Sequence, residues 1–208
     1  MLKGIIFDFD GVIAESVQIK TDAFAELYEP YGKEIVKKVI GHHEANGGIS
    51  RYEKIKLYHE SFLRKAIKKE EILELTNQFS ELVLDKIINA PYVPGALEYI
   101  QICYEEYKLF ISTGTPTEEI KQILRGRKII QYFTNVYGSP DKKNIHINNI
   151  LSTYGISSNE LIFYGDSKSD FDAAVNANIA FVLIKNSFDK KLTDTYRGEI
   201  INNFKGLI

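Results

Sequence analysis

A chain of 208 residues with 44% hydrophobic content can bury one good core and carry a smaller lobe beside it, but not two full domains. Its 26 basic and 28 acidic residues leave a net charge of −2, and no segment gathers Lys and Arg with interleaved aromatics, so no nucleic-acid partner is expected. The apolar run of MLKGIIFDFDG is broken by Asp8, which excludes a secretory h-region or a membrane span, and a cytoplasmic protein, monomeric or weakly dimeric, is expected.

In chain order, short apolar runs predict buried parallel strands at Lys3–Phe7, Leu109–Ser112, Asn135–Tyr137, Leu161–Tyr164 and Phe181–Ile184. Helical patterns lie between them: Pro94–Gly95 opens one through Tyr104, Pro116 another through Arg125, Lys143–Tyr154 a third, and Asp170–Ala177 a fourth. This alternation predicts an α/β fold, a Rossmann-like parallel sheet with right-handed crossovers. Residues 16–88 break the rhythm with long helical patterns (VQIKTDAFAELYE, RYEKIKLYHESFLRKAI, EEILELTNQFSELVLDKII) and no strand, so they read as an all-helical insertion between core segments 1–15 and 89–208. Within the insertion, HHEANGG at His42–Gly48 reads as a loop, and GISR at Gly48–Arg51 as the start of its longest helix. The tail from Asn186 should close the core with a short edge strand near Ile200, and the single cysteine, Cys103, reads as a small buried hydrophobe.

Asp8 and Asp10 leave the carboxyl end of a buried strand two residues apart, followed by Gly11, where open α/β sheets bind ligands. Paired carboxylates there repel unless a cation lies between them or one keeps its proton. GDSKSD at Gly165–Asp170 again follows an apolar strand and opens a helix, so Asp166 and Asp170 should join the first pair. Four converging carboxylates suit Mg²⁺, which prefers oxygen ligands. Read singly, each motif has a plainer reading, a strand-end turn or a helix cap. ISTG at Ile111–Gly114 adds hydroxyls at a strand-to-helix turn, and Lys143 opens the helix before the GDSKSD strand; both fit phosphate, and each alone would equally suit a cap or a solvated lysine.

DFDGV, FISTG, the Lys143 region and GDSKSD, in this order, resemble the four motifs of the haloacid dehalogenase-like superfamily, in particular its phosphatase and phosphoglucomutase-like members with a helical cap after the first motif. The resemblance implies a Mg²⁺-dependent phosphatase acting on a small phosphorylated metabolite, such as a sugar phosphate. It casts Asp8 as nucleophile, Asp10 as general acid/base, Thr113 as phosphate-binding hydroxyl and Lys143 as bridging cation. Asp8, Asp10, Asp166 and Asp170 form its metal set, and Gly114, Arg51 and Lys20 face substrate. Lys142 and Ser112 are the alternatives to Lys143 and Thr113. Lys20 stands where sugar mutases and many phosphatases of the superfamily have histidine, which puts hydrolysis ahead of an intramolecular phosphomutase. A non-catalytic binding protein would be expected to lack one of the four motif residues Asp8, Asp10, Lys143 and Asp166. Ser50–Arg51 has two readings, an arginine on a distal substrate anion or a helix cap with a solvated arginine. His42, His43 and Glu44 lack a third ligand at zinc spacing.

Overall fold

The computed structural model describes residues 1–185 and 190–208, with side chains described through Lys185 and again from Leu192. Strand β1 is Gly4–Phe7, and four helices follow it: α1 (Val17–Tyr28), α2 (Lys33–Ala45), α3 (Arg51–Leu57) and α4 (Lys69–Ile88). Then come α5 (Ala96–Cys103), β2 (Lys108–Pro116), α6 (Thr117–Gly126), β3 (Asn135–Ser139), α7 (Lys143–Tyr154), β4 (Leu161–Gly165), α8 (Lys168–Asn176), β5 (Ala180–Ile184), α9 (Lys190–Thr195) and β6 (Glu199–Ile201). The six strands form one parallel sheet in the order β3-β2-β1-β4-β5-β6.

The sheet is covered on both faces, which is why β1 reads GIIF without alternation: all four residues are buried. Ile5 and Phe7 pack with Leu109, Ile111, Ile100 of α5 and Ile120 of α6 on one side. Ile6 packs with Phe110, Phe163, Ile147 of α7 and Ala174 of α8 on the other. The chain winds outward from β1 to β3, then returns to β1's other side at β4. The topological switch therefore lies between β1 and β4, and the crevice at their carboxyl ends is where such sheets bind ligands.

The expected edge strand is β6, beside β5; of the tail expected to close the core, residues 186–189 lie outside the described residues. Two local expectations are corrected. Helix α2 runs through Ala45, so His42, His43 and Glu44 are helical and only residues 46–50 form the turn. Val36, Val39, Ile40 and His43 recur at helical spacing, and the adjacent histidines and Asn-Gly-Gly masked that face. Nor does GISR open the longest helix of this region: α3 ends at Leu57 in a widened turn over Tyr58–Phe62, and Arg64 has φ +54°, whereas α4 runs for 20 residues. Cys103 is buried. Among the described residues no helix is long and apolar enough to cross a membrane.

Candidate active site

Asp8 follows β1 directly and is 2% exposed. Its Oδ1 accepts from the Phe9 N–H at 2.6 Å and its Oδ2 from Lys143 Nζ at 2.8 Å. Lys143, in the first turn of α7, also donates to Asp170. Asp170 in turn accepts from the Ser167 N–H at 3.1 Å and the Ser167 hydroxyl at 2.6 Å, capping α8. One oxygen each of Asp8, Asp166 and Asp170 lies within 4.8 Å of the others, all three residues buried. The expected convergence is thus of three carboxylates. Asp10 turns aside to accept from Ser16 Oγ at 2.6 Å, from Lys20 Nζ, and from Thr115 Oγ1 at 3.4 Å.

Gly11 makes this packing possible: its φ is +77°, and a Cβ there would lie 2.3 Å from an Asp166 carboxylate oxygen. The electrostatics follow from charge count and burial. Burial pushes the Asp8 carboxyl up to about 6, with Asp170 and Asp10 adding to it and Lys143 opposing. Burial disfavours the Lys143 ammonium too, but Asp170 and Asp8 more than offset it and hold its pKa well above the ordinary lysine value. For Asp10 burial acts upward, yet Lys20 and Ser16 carry its pKa below the usual carboxylate range. Three buried carboxylates around one ammonium leave excess negative charge on oxygen donors. That donor set fits a hard divalent cation such as Mg²⁺.

Both sequence ambiguities have distinct geometries. Lys142 extends to the surface toward Glu53 at 3.4 Å, while Lys143 faces Asp8. Ser112 Oγ bonds His146 Nδ1 at 2.9 Å, away from the crevice, while Thr113 and Gly114 line a cavity beside Asp8 and Asp10. Helices α1, α2 and α3 and the turn before α3 supply the facing wall: Lys20, Phe24, His43, Gly48, Arg51 and Lys54 among others.

Residues 5–184 match the model of the haloacid dehalogenase-like hydrolase family. The chain belongs to that family. It is 26% identical over 189 residues to a phosphorylated carbohydrates phosphatase of Thermotoga maritima, covering 86% of this chain and 82% of that protein. It is 29% identical over 184 residues to a phosphoglycolate phosphatase of Photorhabdus laumondii, covering 83% and 76%. A haloacid dehalogenase-like hydrolase structure from Streptococcus pneumoniae superposes with a TM-score of 0.73 at 21% identity, covering 97% of this chain and 94% of that one.

In this haloacid dehalogenase-like hydrolase, Arg51 is neither solvated nor free. It is 4% exposed, its guanidinium lies 4.4 Å above the Phe79 ring, and its two terminal nitrogens donate to both carboxylate oxygens of Glu119 at 2.9 and 2.5 Å, with Ser80 at 2.8 Å. The pair joins α3 to α6. Arg51→Ala should therefore lower unfolding free energy by about 3 kcal/mol, because it strands a buried Glu119 charge. Urea denaturation measures this, and an unchanged midpoint would contradict it.

Sequence reasoning missed Glu119, Thr115 and Lys54. Each needs a partner remote in sequence to be noticed; a lysine at a buried position on one helical face was the one available signal. It also missed the close seat of Gly48, whose φ is +73° and whose added Cβ would lie 2.2 Å from Ser169 Oγ and 3.0 Å from Lys143 Nζ. The turn between α2 and α3 rests directly on the Lys143 cluster, against Gly114.

Proposed function

We propose that the protein is a Mg²⁺-dependent phosphatase of small phosphorylated metabolites, with residues 16–88 as a helical cap over a core of residues 1–15 and 89–208. The observation that carries this reading is the Asp8 carboxylate, held by Lys143 beside Asp166 and Asp170 and lining a cavity between α1, α3 and the sheet edge. The names of the Thermotoga and Photorhabdus relatives support it.

Asp8 attacks phosphorus in line and the ester oxygen leaves, taking a proton from Asp10 in its acid form. Asp10 as carboxylate then draws a proton from the water that opens the aspartyl-phosphate. Lys20 favours the ionised form of Asp10, the one the second step uses. Lys143 and Thr113 receive phosphoryl oxygens, and Asp170 orients Lys143. Asp8, Asp166 and Asp170 would hold Mg²⁺, which when bound supplies positive charge to the transferring group.

The test is a screen of phosphorylated sugars, acids and nucleotides for phosphate release with and without Mg²⁺. Chelation should stop turnover reversibly, and Asp166→Ala should raise the Mg²⁺ concentration needed by at least about tenfold. A rate indifferent to exhaustive chelation would remove the metal from the proposal.

A further inference from the structure

Three cationic side chains from helices α1 and α3 wall the cavity, and two are already neutralised. Lys20 is bound to Asp10 and Arg51 is forked onto Glu119. The third, Lys54, is 2% exposed and lines the same cavity one turn after Arg51 on α3. Among the described residues no carboxylate lies within ion-pair distance of it. Among the described residues its Nζ hydrogen-bonds His43, at 2.8 Å from Nδ1 and 3.5 Å from the carbonyl oxygen, and lies 5.9 Å from the centre of the Phe24 ring.

A buried ammonium without an anion is unfavourable, and a methionine of similar length would suit a wall made of Phe24 and Phe79. We infer that Lys54 selects substrates carrying a second anionic group, a carboxylate or a further phosphate, remote from the phosphate that is cleaved. The inference rests on the phosphatase reading and narrows its substrate class. Asp10 does not serve Lys54 as counter-ion, being tied to Lys20, and Glu44, which also lines the cavity, is half-buried and keeps access to water. His43 is neutral, burial and Lys54 driving its pKa down to about 2, so its ring nitrogen can accept from the ammonium and aim it. Burial also lowers the Lys54 pKa to about 7, with Lys20 adding to the effect and Asp10 opposing; an arriving anion would keep the amine protonated.

Binding separates this inference from turnover. Calorimetric titration of the protein with Mg²⁺ present compares ω-carboxyalkylphosphonates of increasing chain length with alkylphosphonates of equal length, and with alkane bisphosphonates. One length of carboxylate or bisphosphonate should bind about thirtyfold or more tighter than its uncharged counterpart, and the two arms tell a carboxylate site from a second phosphate site. In Lys54→Met, and in Lys54→Gln should Met disturb the packing, that preference should collapse to within about threefold. A wild-type protein that prefers neither charged series, or a folded variant that keeps the preference, overturns the inference. Failure of the phosphatase reading would appear separately, as phosphonate binding with no ester hydrolysed.

Discussion

Asp8→Asn should reduce phosphate release from every ester by more than about 10⁴-fold and abolish acid-stable trapping of a phosphoenzyme. The amide cannot displace an alkoxide at phosphorus, and two neighbouring carboxylates are engaged elsewhere: Asp170 is tied down by Ser167 and Lys143, and Asp10 by Ser16 and Lys20. The substitution is isosteric and keeps an oxygen for Lys143, so circular dichroism should remain that of the wild type. The decisive measurement is the initial rate on an aryl phosphate, in a preparation free of contaminating phosphatase and of deamidated protein. Residual activity within about tenfold of wild type would remove Asp8 from the nucleophile's role.

The sheet was legible because its strands are buried on both faces and so appear as unbroken apolar runs such as GIIF and LIFY, each ending in a chemically distinctive turn. The carboxylates were legible for the same reason: acids directly after buried strands have one environment open to them, the carboxyl edge of the sheet. Helix α2 was not, because its one apolar face is interleaved with lysines and ends in His-His-Glu, a composition shared by turns. Nor was the state of Arg51. Its sequence neighbours specify a cap at Ser50, which bonds the Tyr52 N–H at 3.3 Å, but its partner Glu119 sits on α6, 68 positions away. Pairings of that range are fixed by how α3 and α6 pack against one another in the folded chain, and no local pattern encodes them.

Lys54→Met should make the protein more stable, by an amount that shrinks as pH rises. Folding lowers the Lys54 pKa from 10.5 to about 7, chiefly through burial and then through Lys20, with Lys143 adding and Asp10 opposing. Between those values the unfolded chain binds more protons at this site than the folded one, so wild-type stability climbs with pH. At pH 7 the cost of keeping Lys54 buried is about 4 kcal/mol, and near pH 9.5 only about 1 kcal/mol remains, both on the scale of 1.36 kcal/mol per pKa unit. Methionine carries no such cost and fills the space beside Phe24 and His43. Urea denaturation of both proteins at the two pH values, both above the ordinary histidine pKa of 6.5, gives the difference directly. An equal gap at both would mean that Lys54 folds fully charged, and a less stable variant would mean that its contact with His43 outweighs its burial. If the gap narrows as stated, the wild-type chain keeps a destabilising cation in the cavity beside Asp8 and Asp10, which is what a site awaiting an anion requires and a structural wall does not.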